Sequence, residues 1–540
     1  MSAHLRSALR WARRRAAGEE GFTMLLAIGI LSVCLLLAVA GYTAVQGDVH
    51  LSQHDLDGKR AYAAAEAAAN AYLYQLNQNP NYWSTCTNDT QSITAVPGST
   101  TGEQYSWQPV LANGSVSCTS DAITSLIDRS TGTLRIEFTG YGPTPKPPCT
   151  PNCSPVQRTI VASFRKNSPF DFLWYTVYEA SDPGISSNYS GCAVFLRTGN
   201  RPSQCNINWI TGDVINGPMY TQDQYLISGS PTFGRTPNDQ IASAAPGTAP
   251  STICGLNNGN NITLNNCGSA TLNGTPEPSA PTISPPTSDS QLLTDANNYG
   301  KTYTGTTTIV LNGSTATVTN CPSTCSSPVA VNIAQYPIIY VSNGSACTPY
   351  SYSPFSVSYS TSGCVGDVYV SGNFTTPLTI AAANNIIING NIATTETSGR
   401  PSGSATLGLV ANEFIRVMHG ENYDNQGNCT GDISSQTFGN MKIDAALLAV
   451  QHSFIVDNYN CGNQLGNLTV NGTIAQYFRG PVGTSQNGVG VTGYLKNYTY
   501  DDRLAVLLPP YLFDIATSGW RIARQTLCTP GSNTGAGCNA

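Results

Sequence analysis

"EEGFTMLLAIGILSVCLLLAVAGYT" runs from Glu19 to Thr43, directly behind a leader that carries Arg6, Arg10, Arg13, Arg14 and Arg15. No residue from Phe22 to Gln46 is charged. As a helix, that stretch reaches ~37 Å, enough to cross a hydrocarbon layer of ~30 Å. Basic residues are held on the cytoplasmic side of a membrane, so the leader predicts an inside N-terminus and an outside C-terminus.

Three processing fates compete for such a segment. A lipoprotein needs a small residue before its lipidated cysteine, and the bulky Val33 precedes Cys34. A secretory signal peptide fits better, because Ala38-Val39-Ala40 has the A-x-A form of a cleavage site. The third fate is a cut between Gly21 and Phe22, which leaves the apolar helix on the mature chain. The stretch C-terminal to the apolar segment favours the third. Residues 44–78 contain no proline and are rich in alanine, the best helix former. Val45, Val49, Leu56, Ala63 and Ala67 recur near whole helical turns, giving one mildly apolar face. Asn79-Pro80 then stops the helix. The expected product is a single rod from Phe22 to Gln78, ~85 Å long, weakened locally at Gly41 and Gly58 by about 1 kcal/mol each.

The Gly21-Phe22-Thr23 triplet behind a short basic leader resembles the signal of type IV pilins. "KRAYAAAEAAANAYLYQLNQNPNYW" (Lys59 to Trp83) is similar to the continuation in PilX-type minor pilins and pilus-assembly proteins of Gram-positive bacteria. The resemblance covers residues 18–83. It implies cleavage after Gly21 by a prepilin peptidase, N-methylation of Phe22, and packing of the helix in a filament core. It also implies other pilins and the assembly machinery as partners, with membrane lipid around residues 22–46. Major pilins of this family carry glutamate at the fifth mature position, where this chain has Leu26. That carboxylate offsets a neighbour's buried amine, and an unpaired buried charge costs several kcal/mol. A chain with Leu26 is therefore expected to be a minor component, at a filament tip or in an initiating complex.

Composition places the rest outside the membrane. Charged residues make up 10% of the chain, against roughly 25% in ordinary soluble domains, and Asn, Thr, Ser and Gly take their place. Without residues 1–21 the chain keeps 20 basic and 29 acidic residues. No basic stripe relieves that acidity, so nucleic acid is not an expected partner. Apart from Cys34 there are sixteen cysteines: Cys86, Cys118, Cys149, Cys153, Cys192, Cys205, Cys254, Cys267, Cys321, Cys325, Cys347, Cys364, Cys429, Cys461, Cys528 and Cys538. An even number on one side of the membrane points to disulfides in an oxidising compartment, and consecutive pairing is the natural choice in a chain of short loops. Cys149/Cys153 and Cys321/Cys325 have a C-x3-C spacing, but their Pro-rich flanks and the lack of a matching His pair argue against zinc.

The segmentation reads as a leader (1–21), the pilin-like helix (22–79), a small pilin-like sheet (80–167), a disulfide-stapled β region (168–525) and a C-terminal tail (526–540). The small sheet rests on "EQYSWQPVLA", "GTLRIEFTGYG" and "VQRTIVASFRK", the last two alternating apolar and polar residues. Beyond Ser168, "VYVSGNF" (Val368 to Phe374), "IIINGNI" (Ile386 to Ile392) and "LTVNGTI" (Leu468 to Ile474) share one form, and Gly372 and Gly390 lie 18 residues apart. "GDVINGPMYTQDQYLISGSPTFG" (Gly212 to Gly234) has the same cadence. This predicts a mainly β protein with a long N-terminal helix, its outer region a parallel β-helix; a β-sandwich is the alternative. The Pro-, Ser- and Thr-rich stretch 245–290 reads as an insertion. "LGLVANEFIRVMHG" (Leu407 to Gly420) and "MKIDAALLAVQHSFIVDNYN" (Met441 to Asn460) resemble the C-terminal part of surface proteins that carry such pilin-like N-termini.

Chemistry is sparse. Asp501-Asp502 is the adjacent acid pair that glycoside hydrolysis would call for, yet it lies in a turn beside Arg503. His419-Gly-Glu421 imitates half of a zinc deaminase motif, without the P-C-x-x-C that should follow. His452 sits between apolar residues. Asn422 to Asp432 has the look of a calcium loop but places Ile433 where the closing glutamate belongs. The reading is therefore binding rather than catalysis, with no cofactor and no metal: a minor pilin-like component on the cell surface that displays its outer region for attachment, for example to surface glycans. The alternative is a membrane-anchored enzyme acting on envelope polysaccharide.

Overall fold

The computed structural model describes residues 20–79, 81–110, 126–128, 132–144, 154–166, 168–259, 261–512 and 519–528. Most of the leader, with Cys118, Cys149, Cys153 and Cys538, lies outside the described residues.

Helix α1 (Glu20–Gln78) is continuous over 59 residues, passing through Gly41 and Gly58 without a break. Its first part, Met24–Thr43, is long and apolar enough to cross a membrane, with a mean hydropathy of 2.7 and its side chains exposed on every side. The hydroxyls in this stretch are satisfied internally: Ser32 Oγ donates to Ile28 O at 2.7 Å and Thr43 Oγ1 to Ala40 O at 2.9 Å. The outer part buries one stripe, Ala61, Ala64, Ala65, Ala68, Ala69, Tyr72 and Leu76, at the three- and four-residue steps of a helix face.

That stripe packs on an antiparallel sheet formed by β1 (Gln91–Ala95), β2 (Gln104–Pro109), β3 (Ile127–Asp128), β4 (Thr133–Tyr141) and β5 (Gln157–Lys166). The alanines are small for a reason. A Cβ built on Gly140 of β4 would lie 1.9 Å from Ala61 O, so helix and sheet meet backbone to backbone. Tyr72, Trp107, Phe138 and Phe164 fill the space beside this contact, with ring centroids 5.2–5.9 Å from Tyr72. The sheet's far edge is not local. The strand Trp520–Leu527 pairs antiparallel with β5, Trp520 opposite Lys166. The 168–525 segment therefore ends inside the small sheet, and nearly everything between Lys166 and Trp520 is inserted between two neighbouring strands.

The inserted region is dominated by one 21-stranded sheet in which most neighbouring strands run parallel, with a four-stranded sheet and short hairpins beside it. One buried column passes through Ile339, Ile380, Leu409, Leu447, Ile474, Trp174, Met219 and Ile241, each opposite the next. A second runs Val368, Ile386, Ile415, Phe454. The 18-residue spacing seen in the sequence is the register of Val368 on Ile386; after Val370 the ladder slips, and Gly372 faces Ile392. Burying each such side chain contributes ~1.5–3 kcal/mol, and the columns merge into one core.

Spatial order and chain order differ. Ile474 pairs with Trp174, so the end of the region docks on its beginning. From Trp174 the ladder grows away from this seam to the strand Thr275–Pro278. The chain then crosses back along the outside. Tyr220 Oη donates to Pro281 O at 3.0 Å, Tyr175 Oη to Ile283 O at 2.7 Å, and Tyr340 Oη to Asp289 at 3.1 Å. The helix Ser290–Tyr299 packs on the opposite end, and residues 301–500 return to the seam. The stretch 245–290, whose composition suggests an insertion, thus divides in two. Thr271–Leu272 and Thr275–Pro278 are ladder strands, Cys254–Asn257 pairs parallel with Tyr225–Ser228 in a separate four-stranded sheet, and 279–289 is the crossing.

Among the described residues, five disulfides join consecutive cysteines: Cys192–Cys205, Cys254–Cys267, Cys321–Cys325, Cys347–Cys364 and Cys429–Cys461. Cys528 is disulfide-bonded as well. Cys34 is a free, exposed thiol in the apolar half of α1.

Candidate functional sites

Gly21 and Phe22 lie on the first helical turns of α1, and Leu26 is exposed a turn further on. Nothing among the described residues covers the segment they open.

The acid pair Asp501-Asp502 is divided among three arginines. Asp501 receives Arg503 through Nη2 at 2.6 Å and Nε at 3.0 Å, while that guanidinium also reaches Ser402 O and Ala405 O. Asp502 turns the other way, to Arg235 at 2.8 Å and Arg400 at 3.7 Å. Arg235 in turn holds Asp239 bidentately at 2.8 and 2.9 Å. Asp502 and Arg235 stand on the wall of a cleft of about 610 Å³ with Phe172, Tyr220, Tyr500 and Arg521, where the large region meets the small sheet. A second cleft, of about 410 Å³, is lined by Tyr350, Tyr352, Phe355, Tyr369 and a run of serines. Aromatic faces beside hydroxyls and amides are the surfaces that sugars stack on and bond to.

Charges are buried at the seam where 464–500 docks on 174–216. Arg479 meets Glu179 at 3.1 Å and lies over the Trp209 ring at 3.9 Å. Lys496 meets Asp213 at 2.8 Å. Glu179 also accepts from Trp174 Nε1, Thr176 Oγ1 and Trp209 Nε1 at 2.7–3.1 Å. His452 belongs to the same seam. Its Nδ1 lies 2.9 Å from Asp182 and its Nε2 3.1 Å from Glu413, while the ring stacks on Phe414 at 4.3 Å. Asp182 also accepts from Ser453 Oγ at 2.6 Å. With acids on both nitrogens, the ring acts as a clamp between the turns that carry Asp182 and Glu413.

His419 and Glu421 find a third partner that the sequence pattern did not supply. Glu421–Asp432 is a hairpin, with Glu421 directly opposite Asp432. The residues that resemble a calcium loop form its turn: Asp424 accepts from the Gln426 and Asn428 amides at 2.9 and 2.8 Å. His419 Nε2 lies 3.3 Å from Glu421 Oε1 and 3.4 Å from Asp432 Oδ1. Burial and the adjacent Asp432 carboxyl push the Glu421 carboxyl up to about 7. The H-x-E signal was visible in the sequence. The place of Asp432 beside them was not, because only the hairpin register brings it alongside. Cys321 and Cys325, whose spacing raised the question of zinc, are bonded to each other.

Comparison of the chain with protein-family models, with curated proteins and with solved structures finds no match.

Proposed function

We propose that this chain is a minor pilin-like or pilus-assembly component: α1 is the assembly element, and the inserted region, wound as a parallel β-helix, is displayed outside the cell for attachment. The observation that carries the reading is the division of one unbroken helix, apolar and bare over Met24–Thr43 and packed under a sheet from Ala61 to Leu76. A cleaved secretory signal has no need to continue into a packed rod. The winding is supported by the same-direction registers that link strands far apart in the chain, and by disulfides that close short loops around them. Both ends of the displayed region return to the sheet on the rod, which suits a head that bears load. Its partners are other pilins, the prepilin peptidase, lipid around residues 22–46 and, through the aromatic clefts, surface glycans.

The test is the mature N-terminus, determined by mass spectrometry on membrane and sheared-surface fractions. A start at methylated Phe22, with filaments lost in a deletion strain, supports the proposal. A start at Gly41 means a released protein, and an intact Met1 a plain anchor; either overturns it.

A further inference from the structure

His419, Glu421 and Asp432 are drawn from two segments and converge on one point. The three ligand atoms lie within 4.8 Å of one another. His419 and Glu421 have fully buried side chains, whereas that of Asp432 is 39% exposed. Both Glu421 oxygens are buried without a hydrogen-bond donor. A buried carboxylate left in that condition costs several kcal/mol unless a proton or a cation faces it, and the imidazole and second carboxylate that converge on the same hollow are ligands for a cation.

The spacing is also informative. Charge-assisted N–H···O bonds close to ~2.7–2.9 Å, and the two His419 contacts are longer, at 3.3 and 3.4 Å. Ligands held at ~2.0–2.1 Å on a tetrahedral ion stand ~3.4 Å apart. The backbone leaves room as well. A Cβ on Gly462 would lie 2.7 Å from Asp432 Oδ1 and 2.9 Å from Glu421 Oε1, so any side chain there would fill the hollow both carboxylates face. The neighbouring Cys461 is tied to Cys429 on the hairpin, which holds the hollow and the hairpin together.

We propose that His419 Nε2, Glu421 and Asp432 bind a divalent transition-metal ion of the zinc class, with a fourth position open to solvent on the Asp432 side. The imidazole selects against calcium and magnesium, which take oxygen ligands, and two carboxylates balance the ion's charge. The ion fastens the 421–432 hairpin to the body of the ladder. The His452 cluster is not a second such site, because its acids sit on opposite ring nitrogens and cannot share an ion. The proposal does not depend on how the N-terminus is processed.

The experiment uses tag-free full-length protein in detergent, stripped with chelator. It carries His54→Gln, because His50 and His54 lie about one helical turn apart and could bind metal weakly themselves. Zn²⁺ is titrated calorimetrically, and Co²⁺ by the visible absorption of a tetrahedral site. One ion per chain is expected, with affinity reduced ~100-fold or more in His419→Ala and Asp432→Asn and unchanged in His452→Gln. Asp432→Asn is the deciding variant should His419→Ala fail to fold, since Asp432 is exposed. Absence of saturable binding, affinity retained in Asp432→Asn, or equal binding of Ca²⁺ overturns the proposal.

Discussion

Asn77, at the outer end of the rod, holds Trp520 by both backbone groups. Its Oδ1 accepts from the Trp520 N–H at 2.7 Å and its Nδ2 donates to the Trp520 carbonyl at 3.1 Å. These residues are more than four hundred positions apart, and the pair marks where the chain re-enters the small sheet. Gly519 is needed beside them, since a Cβ there would lie 2.8 Å from Asn77 Oδ1. Asn77→Ala removes both bonds and should cost about 1–2 kcal/mol. The readout is hydrogen exchange over 519–528, which should accelerate while β2 to β4 stay protected. Unchanged exchange would mean that β5 alone secures the strand.

Gly140→Ala tests the contact between rod and sheet. The new methyl would occupy the position of Ala61 O, and neither backbone can yield without lifting the helix. The expected loss is about 3 kcal/mol, read by thermal unfolding and by protease cleavage in the outer half of α1. Wild-type stability would show that the helix rides higher on the sheet.

Arg479→Met tests the seam. The substitution leaves Glu179 buried, with Trp174, Thr176 and Trp209 still donating to it, so the cost should fall near the lower end of the ~3–5 kcal/mol seen when one partner of a buried pair is removed. Arg479→Met combined with Glu179→Gln should recover much of the loss, because no charge is then stranded. Additive losses in denaturant unfolding would mean that the two residues act separately.

The rod and the strands were legible because each is written in a local period. The alanine-rich run without proline up to Asn79 predicts the helix, and β4 alternates over much of its length as a half-buried sheet does, whereas β5, expected to alternate too, is buried on both faces from Ile160 to Arg165. The segment VYVSGNF and its 18-residue echo IIINGNI face each other in the ladder. The long-range steps were not legible. No periodicity tells Ile474 that its neighbour is Trp174, or β5 that its partner is Trp520, because such pairings depend on the whole core. Proline-rich composition made 245–290 look like a loop, although Thr275–Pro278 sits at the ladder's end, where a missing N–H is tolerated. Asp432 was read only as the end of a calcium-like loop, and its place beside His419 was missed for the same reason as the seam: it comes from register, not from spacing.

The last prediction concerns pH. Burial alone would pull the His452 imidazole below its ordinary value of 6.5, but hydrogen bonds and attraction from Asp182 and Glu413 outweigh it and push the ring up to about 9. A folded-state value above the unfolded one means that the folded chain holds this proton more tightly. The stabilisation is therefore full below about pH 6.5 and is lost as pH rises through about 9; a shift of this size is worth up to about 3 kcal/mol. Other groups also titrate near neutrality, with Asp89 and Asp289 raised to about 7 by burial, so the wild-type profile alone does not isolate the clamp. The difference between wild type and His452→Gln does. Thermal unfolding should show the variant less stable at pH 6 and the gap closing by pH 10. A gap that is constant from pH 6 to 10 would mean that His452 contributes by packing on Phe414, not as a charged link between Asp182 and Glu413.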